Sequence, residues 1–134
     1  MKAKPAPLTQ QIIAQGFAMQ ESLDASFSDP AHSLARLGIL YHLQDGPRAL
    51  SELAQLMSCG RSNLTAMTDK LEKQGWVERV PSQKDRRRVL ARITDEGRRS
   101  CDAGIAELRA WEARLVEKLG VQKTSVLMSL LKEI

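Results

Sequence analysis

Two groups of side chains in this 134-residue sequence have types and spacing suited to holding a polyanion. The first is the run Lys84, Asp85, Arg86, Arg87 and Arg88, four cations around one acid. Guanidinium forks and an ammonium placed this close together donate to phosphate oxygens. The second is Arg61, Ser62, Asn63 and Thr65, short donors and acceptors at the start of an expected helix. Neither group makes or breaks a covalent bond. No nucleophile–base pairing, phosphate-binding loop or HExxH pattern accompanies them, so a binding protein is expected rather than an enzyme, with no cofactor.

The charge balance points to the same stretch. The whole surplus of +4 falls within residues 51–100, which carry eleven basic and seven acidic side chains. A local positive field is a footprint for nucleic acid, although a solvated charge run gives the same count. The surrounding elements decide between the two.

Apolar residues at 8, 12, 13, 17, 19, 23 and 27 follow one helical stripe, which Ser28-Asp29-Pro30 ends. Met1 to Pro7 reads as a frayed tail. The stripe is wide for a small chain, which suggests burial against a partner as well as the chain's own core. A second helix is expected from Ser33, as N-cap, to Gln44, with Leu34, Leu37, Leu40 and Tyr41 inward. Asp45-Gly46-Pro47 stops it. Ser51 is expected to cap a short third helix with Leu53, Ala54, Leu56 and Met57 inward, and the turn Ser58-Cys59-Gly60 follows.

The fourth helix, about 61–74, places Leu64, Met67 and Leu71 on its docking face. Ser62, Thr65, Ala66 and Asp69 then fall on the opposite side, flanked by Arg61 and Asn63. Gly75 closes this helix, with Trp76 placed for the accompanying apolar contact. Residues 76–80 read as a strand, 81–87 as a loop, and 88–94 as a returning strand with Val89, Ala91 and Ile93 on its apolar face. Thr94 caps a long helix to about Leu119 that carries Ile105, Leu108, Trp111 and Leu115. Gly120 breaks it before a last helix, 121–134. The fold class is therefore mainly α with a small β-hairpin wing. It is a winged helix-turn-helix over 33–95, with a helical dimerisation region formed by 8–30 and 96–134. In this layout the N-terminal part of the second helix of the motif enters the major groove, and the hairpin tip spans a phosphate backbone towards a minor groove.

The segments GRSNLTAMTDKLEKQGWVER and KDRRRVLARITDEG, set in this order of helices, resemble the MarR family of bacterial transcription regulators. The resemblance covers most of the chain. It implies a homodimer joined through the first and last helices, binding a pseudo-palindromic double-stranded DNA operator, as a repressor that responds to a small, often aromatic ligand. It further implies that Arg61, Ser62, Asn63 and Thr65 read bases. Asp85 pairs with Arg87 and orients it into the minor groove, while Arg86 and Arg88 contact phosphate. Gly60 stands where the family more often has a Ser or Thr cap. The ligand crevice implied by the family would lie near Tyr41, His42 and Trp111.

Two alternatives come from other classes: a winged-helix module whose basic hairpin meets an acidic protein, and a cysteine-based redox regulator. Cys59 and Cys101 are too few and too far apart for a disulfide framework or a zinc site, and read as packed thiols. His32 and His42 share no ligand spacing with them, so no metal is expected. No apolar run approaches a membrane span, and the N-terminus lacks a secretory core. A cytoplasmic protein with no membrane contact is the expectation.

Overall fold

The structure is a computed structural model that describes residues 2–4 and 6–134. Met1 and Pro5, within the expected frayed tail, lie outside the described residues. Helix α1 runs Pro7–Ser26, starting one residue before the expected Leu8 because a proline at the first helical position has no N–H to leave unpaired. Of its apolar stripe, only Leu23 and then Phe27 are buried, whereas Leu8, Ile12, Ile13, Phe17 and Met19 are exposed.

Helix α2, Leu34–Leu43, begins as expected, with the Ser33 hydroxyl accepting from the Arg36 N–H at 3.1 Å. Its buried face is Leu37, Ile39, Leu40 and Leu43, while Leu34 and Tyr41, expected inside, are exposed. The correction has a packing cause. The helix touches α4 (Arg61–Lys73), α5 (Asp95–Leu119) and strand β3 (Val89–Ile93), which together turn its core side towards Ile39 and Leu43.

Past Gly46, whose φ is +142°, residues Arg48–Ala49 form a short strand, β1, that the sequence pattern did not suggest. It pairs antiparallel with β3, Ala49 opposite Leu90. The strand moves the start of helix α3, Leu50–Leu56, one residue ahead of the expected cap. Ala49 occupies the cap position without a side-chain hydrogen bond, and Ser51 sits inside the helix. Leu53 is fully buried and Ala54 and Met57 partly so, but Leu56, expected inward, is exposed. The turn into α4 places its one positive φ among non-glycine residues on Ser58, at 50°.

The hairpin consists of β2, Val77–Pro81, and β3, antiparallel, in a sheet of order β1-β3-β2. Val77 lies opposite Ile93 and Pro81 opposite Val89. Pro81 thus belongs to the strand rather than the loop, Arg88 to the loop, and Thr94 to the following cap. On the expected apolar face Ala91 and Ile93 are buried, but Val89 stands out near the tip, half exposed.

Thr94 Oγ1 accepts from the Gly97 N–H at 3.0 Å, so α5 starts where expected. Its first turns carry the buried Gly97, Cys101 and Gly104, and Ile105, Leu108 and Trp111 pack partly against the core. Gly120, with φ +85°, separates α5 from α6, Val121–Glu133, which has no buried residue. No helix among the described residues is long and apolar enough to cross a membrane.

Candidate nucleic-acid interface

Helix α4 is fixed from one side only. Leu64, Thr68 and Leu71 are fully buried, at i, i+4 and i+7. Thr68 is tolerated there because its hydroxyl donates to the Leu64 carbonyl at 2.8 Å. The opposite side is left to solvent: Arg61, Ser62, Asn63 and Ala66 are exposed and Thr65 is half-buried. The Thr65 hydroxyl donates to the Arg61 carbonyl at 2.9 Å, which leaves its oxygen lone pairs and methyl free for a partner. Gly60 at the N-cap contributes no side-chain hydrogen bond.

The helix ends in a locked turn. The Gly75 N–H donates to the Glu72 carbonyl and the Trp76 N–H to the Leu71 carbonyl, each at 3.0 Å, with Gly75 at φ +77°. Trp76 is buried, stacked on His32 with ring centroids 4.8 Å apart. The chain then passes directly into β2, so α4 and the hairpin share one hydrogen-bonded junction.

Ser82, which the sequence did not mark, organises the hairpin tip. Its hydroxyl accepts from the Lys84 and Asp85 N–H groups at 3.3 Å each, and its own N–H donates to the Arg88 carbonyl at 3.0 Å. A serine directly after Pro81 is the signal that could have found it. Asp85 departs from the implied side-chain pairing with Arg87. Its Oδ1 accepts from the Arg87 backbone N–H at 3.0 Å, a local turn that competes with the guanidinium for the same oxygen.

The cations divide into two sets. Arg79 pairs with Asp69 and Glu72, Arg92 with Glu78, and Arg88 lies 3.8 Å from Glu52 on α3. Hydrogen bonding to Asp69, followed by the Glu72 charge, holds the Arg79 guanidinium above its ordinary pKa. Lys84, Arg86 and Arg87 are exposed and have no carboxylate within ion-pair distance among the described residues. Three unneutralised cations on a hydrogen-bonded tip suit a polyanion rather than an internal salt bridge.

The remaining candidates lie apart from this surface. Tyr41 and His42 meet edge-on at 5.6 Å near the end of α2. Trp111 stands on α5 against α1, its Nε1 donating to the Ser22 hydroxyl at 3.4 Å. His32 is buried, with Nε2 bonded to the Ser100 hydroxyl at 2.9 Å and Nδ1 unpartnered. Burial pushes the Cys101 thiol up to about 11, which keeps it protonated at neutral pH, while Cys59 is half-buried in the turn before α4. The described residues hold no cluster of three or more potential metal ligands.

Residues 33–89 match the model of the MarR family. The HTH-type transcriptional regulator PecS of Dickeya dadantii is 35% identical over 83 residues, covering 59% of this chain and 50% of PecS. Across three curated relatives the match spans 38% to 50% of their own length. Among solved structures, a mutant MarR from E. coli complexed with operator DNA superposes with a TM-score of 0.83 at 26% identity, covering 95% of this chain and 92% of that one. The repressor CouR, bound to a 23-mer DNA duplex, gives 0.83 at 26% identity over 99% and 98% of the two chains.

Proposed function

We propose that the chain, which matches the MarR family model over residues 33–89, is a member of that family and a sequence-specific double-stranded DNA-binding transcription regulator. It acts as a homodimeric repressor on a pseudo-palindromic operator and is released by a small ligand. The observation that carries this reading is the contrast across α4. Its inner face is fully buried, while its polar N-terminal half and the unpaired Lys84, Arg86 and Arg87 of the hairpin are left to solvent. Arg61, Ser62, Asn63 and Thr65 then read base edges in a major groove, and Arg87 enters the neighbouring minor groove with Arg86 and Arg88 on phosphates. Asp85 supports Arg87 through its backbone. Two similar proteins solved on DNA support duplex DNA as the partner.

Residues 33–95 form the DNA-binding region and 8–30 with 96–134 the dimerisation region. Exposed Leu8, Phe17, Val121, Leu127 and Leu130 on α1 and α6 support a second copy as their cover. Tyr41 and His42 near the end of α2 and Trp111 on α5 are the candidate ligand contacts, and an aromatic ligand acts by favouring a spacing of the two recognition helices that mismatches the grooves. The protein works in the cytoplasm, where its DNA is, and carries out no catalysis.

Fluorescence anisotropy on duplexes from the upstream region, against scrambled duplex and over a salt series, tests the reading. Sequence-dependent binding whose log affinity falls steeply with log salt is expected. Equal affinity for operator and scrambled duplex, after selection from a random library, would count against it.

A further inference from the structure

The hairpin cation tied to α4 is Arg79. Its Nη2 donates to Asp69 Oδ1 at 2.5 Å and its Nη1 to Glu72 Oε2 at 3.1 Å. Its backbone is fixed opposite Ala91, which is fully buried, so the fork leaves β2 in a set direction. Thr65, Asp69 and Glu72 follow one another at i, i+4 and i+7, the spacing of a single face, and Asp69 also continues the stripe of Ser62 and Ala66. The side that meets the operator in the reading above therefore carries two acids in its last turns, next to the exposed Lys73 that closes the helix. Neither has another hydrogen-bond partner among the described residues, and both are about half exposed, at 50% and 41%. A pair this open adds little to folding stability. Bare carboxylates on a helix entering a groove lined with phosphates are a different matter, since like charges brought together oppose association.

We infer that Arg79 is a positioning residue for DNA binding which acts through Asp69 and Glu72, cancelling their charge and turning them towards the hairpin. It does not itself touch the DNA. This rests on the DNA-binding reading and separates from it in the test.

An operator is first selected from a random duplex library with the unmodified protein, and affinities are read by anisotropy at one fixed salt concentration. Arg79→Ala is expected to weaken binding about tenfold or more. Adding Asp69→Asn and Glu72→Gln to Arg79→Ala is expected to recover most of that loss, because the acids that Arg79 restrained are gone. A loss that persists in the triple variant overturns the inference, since a direct phosphate contact or a purely mechanical strut is not restored by removing its partners. Unchanged affinity in Arg79→Ala overturns it as well. Thermal melts accompany each variant, and Arg79→Gln, which keeps the stem and loses the charge, is read by the same criteria should the alanine variant not fold. Failure of the unmodified protein to select any duplex overturns the DNA-binding reading, and this inference with it.

Discussion

The lobe that carries α4 and the hairpin and the arms formed by α1 and α6 dispose of their apolar side chains in opposite ways. In the lobe, Leu53, Leu64, Leu71 and Ala91 have no exposed surface at all, and the outer side of α4 is mostly polar. In the arms the pattern inverts: α6 buries nothing, and Phe17 on α1 and Val121 on α6 are 70% and 78% exposed. A lobe whose core is closed within one chain keeps its shape whatever its neighbours do. Arms with their apolar faces open depend on being covered, and in the proposed dimer that cover is another copy. The difference assigns shape to one region and assembly to the other.

Leu64→Ala strikes the closed region hardest. With no room for the neighbours to refill the gap, it is expected to cost about 3–5 kcal/mol in urea unfolding and to abolish DNA binding. Leu127→Glu with Leu130→Glu strikes the open region while keeping good helix formers on α6. The dimer dissociation constant is expected to rise roughly a hundredfold, about 3 kcal/mol, in sedimentation. A sharp melt at unchanged dimer mass would instead mean that α6 is not the seam.

Cys101 tests whether the first turns of α5 belong to the closed region. Its folded pKa, about 11, lies above the ordinary thiol value of 9.0, so the folded state retains a proton that the unfolded chain releases. Stability is full below pH 9 and falls between 9 and 11, by at most about 1.4 kcal/mol per pH unit. Cys101→Ala is expected to lose that part of the alkaline slope in unfolding titrations. Arg87→Ala leaves both regions folded and is expected to reduce operator affinity by about 1–3 kcal/mol. Gly60→Ser is the mildest change. A side chain there meets nothing within 4 Å, φ is an ordinary −67°, and a hydroxyl cap is worth only a few tenths of a kcal/mol over glycine. A small rise in melting temperature is the expected readout.

Much of the lobe was legible in the sequence because its elements obey local rules. Helical spacing identified Leu64 and Leu71, Gly75 marked the end of α4, and Thr94 marked the start of α5. Other features depend on groups distant in sequence or on competition for one atom. Thr68 looks like a surface residue until its hydroxyl is seen bonded within its own helix. Strand β1 exists only because β3 lies beside it. His32 is buried by stacking on Trp76, which no periodicity records. Asp85 was expected to hold the Arg87 guanidinium and instead holds its backbone N–H, the nearer donor. The cations of the interface could be counted from the sequence, but the division between those already neutralised and those free for a partner required the fold.

The junction at Gly97 carries a mechanical consequence. A methyl at this position would overlap the Trp76 carbonyl, which itself accepts from the Thr94 N–H at 3.0 Å, while the Thr94 hydroxyl donates to the Gly75 carbonyl at 2.6 Å. The long helix is thereby clamped to the base of the hairpin, and the two turn together as a lever. At 1.5 Å per residue the 25 residues of α5 span roughly 37 Å, so a tilt of about 5° at one end displaces the other by roughly 3 Å. That is close to the spacing of successive base pairs, about 3.4 Å. In the proposed regulator, a small tilt imposed at the far end of α5 would thus move the base of the hairpin by about one step of the duplex without touching any residue proposed to face DNA.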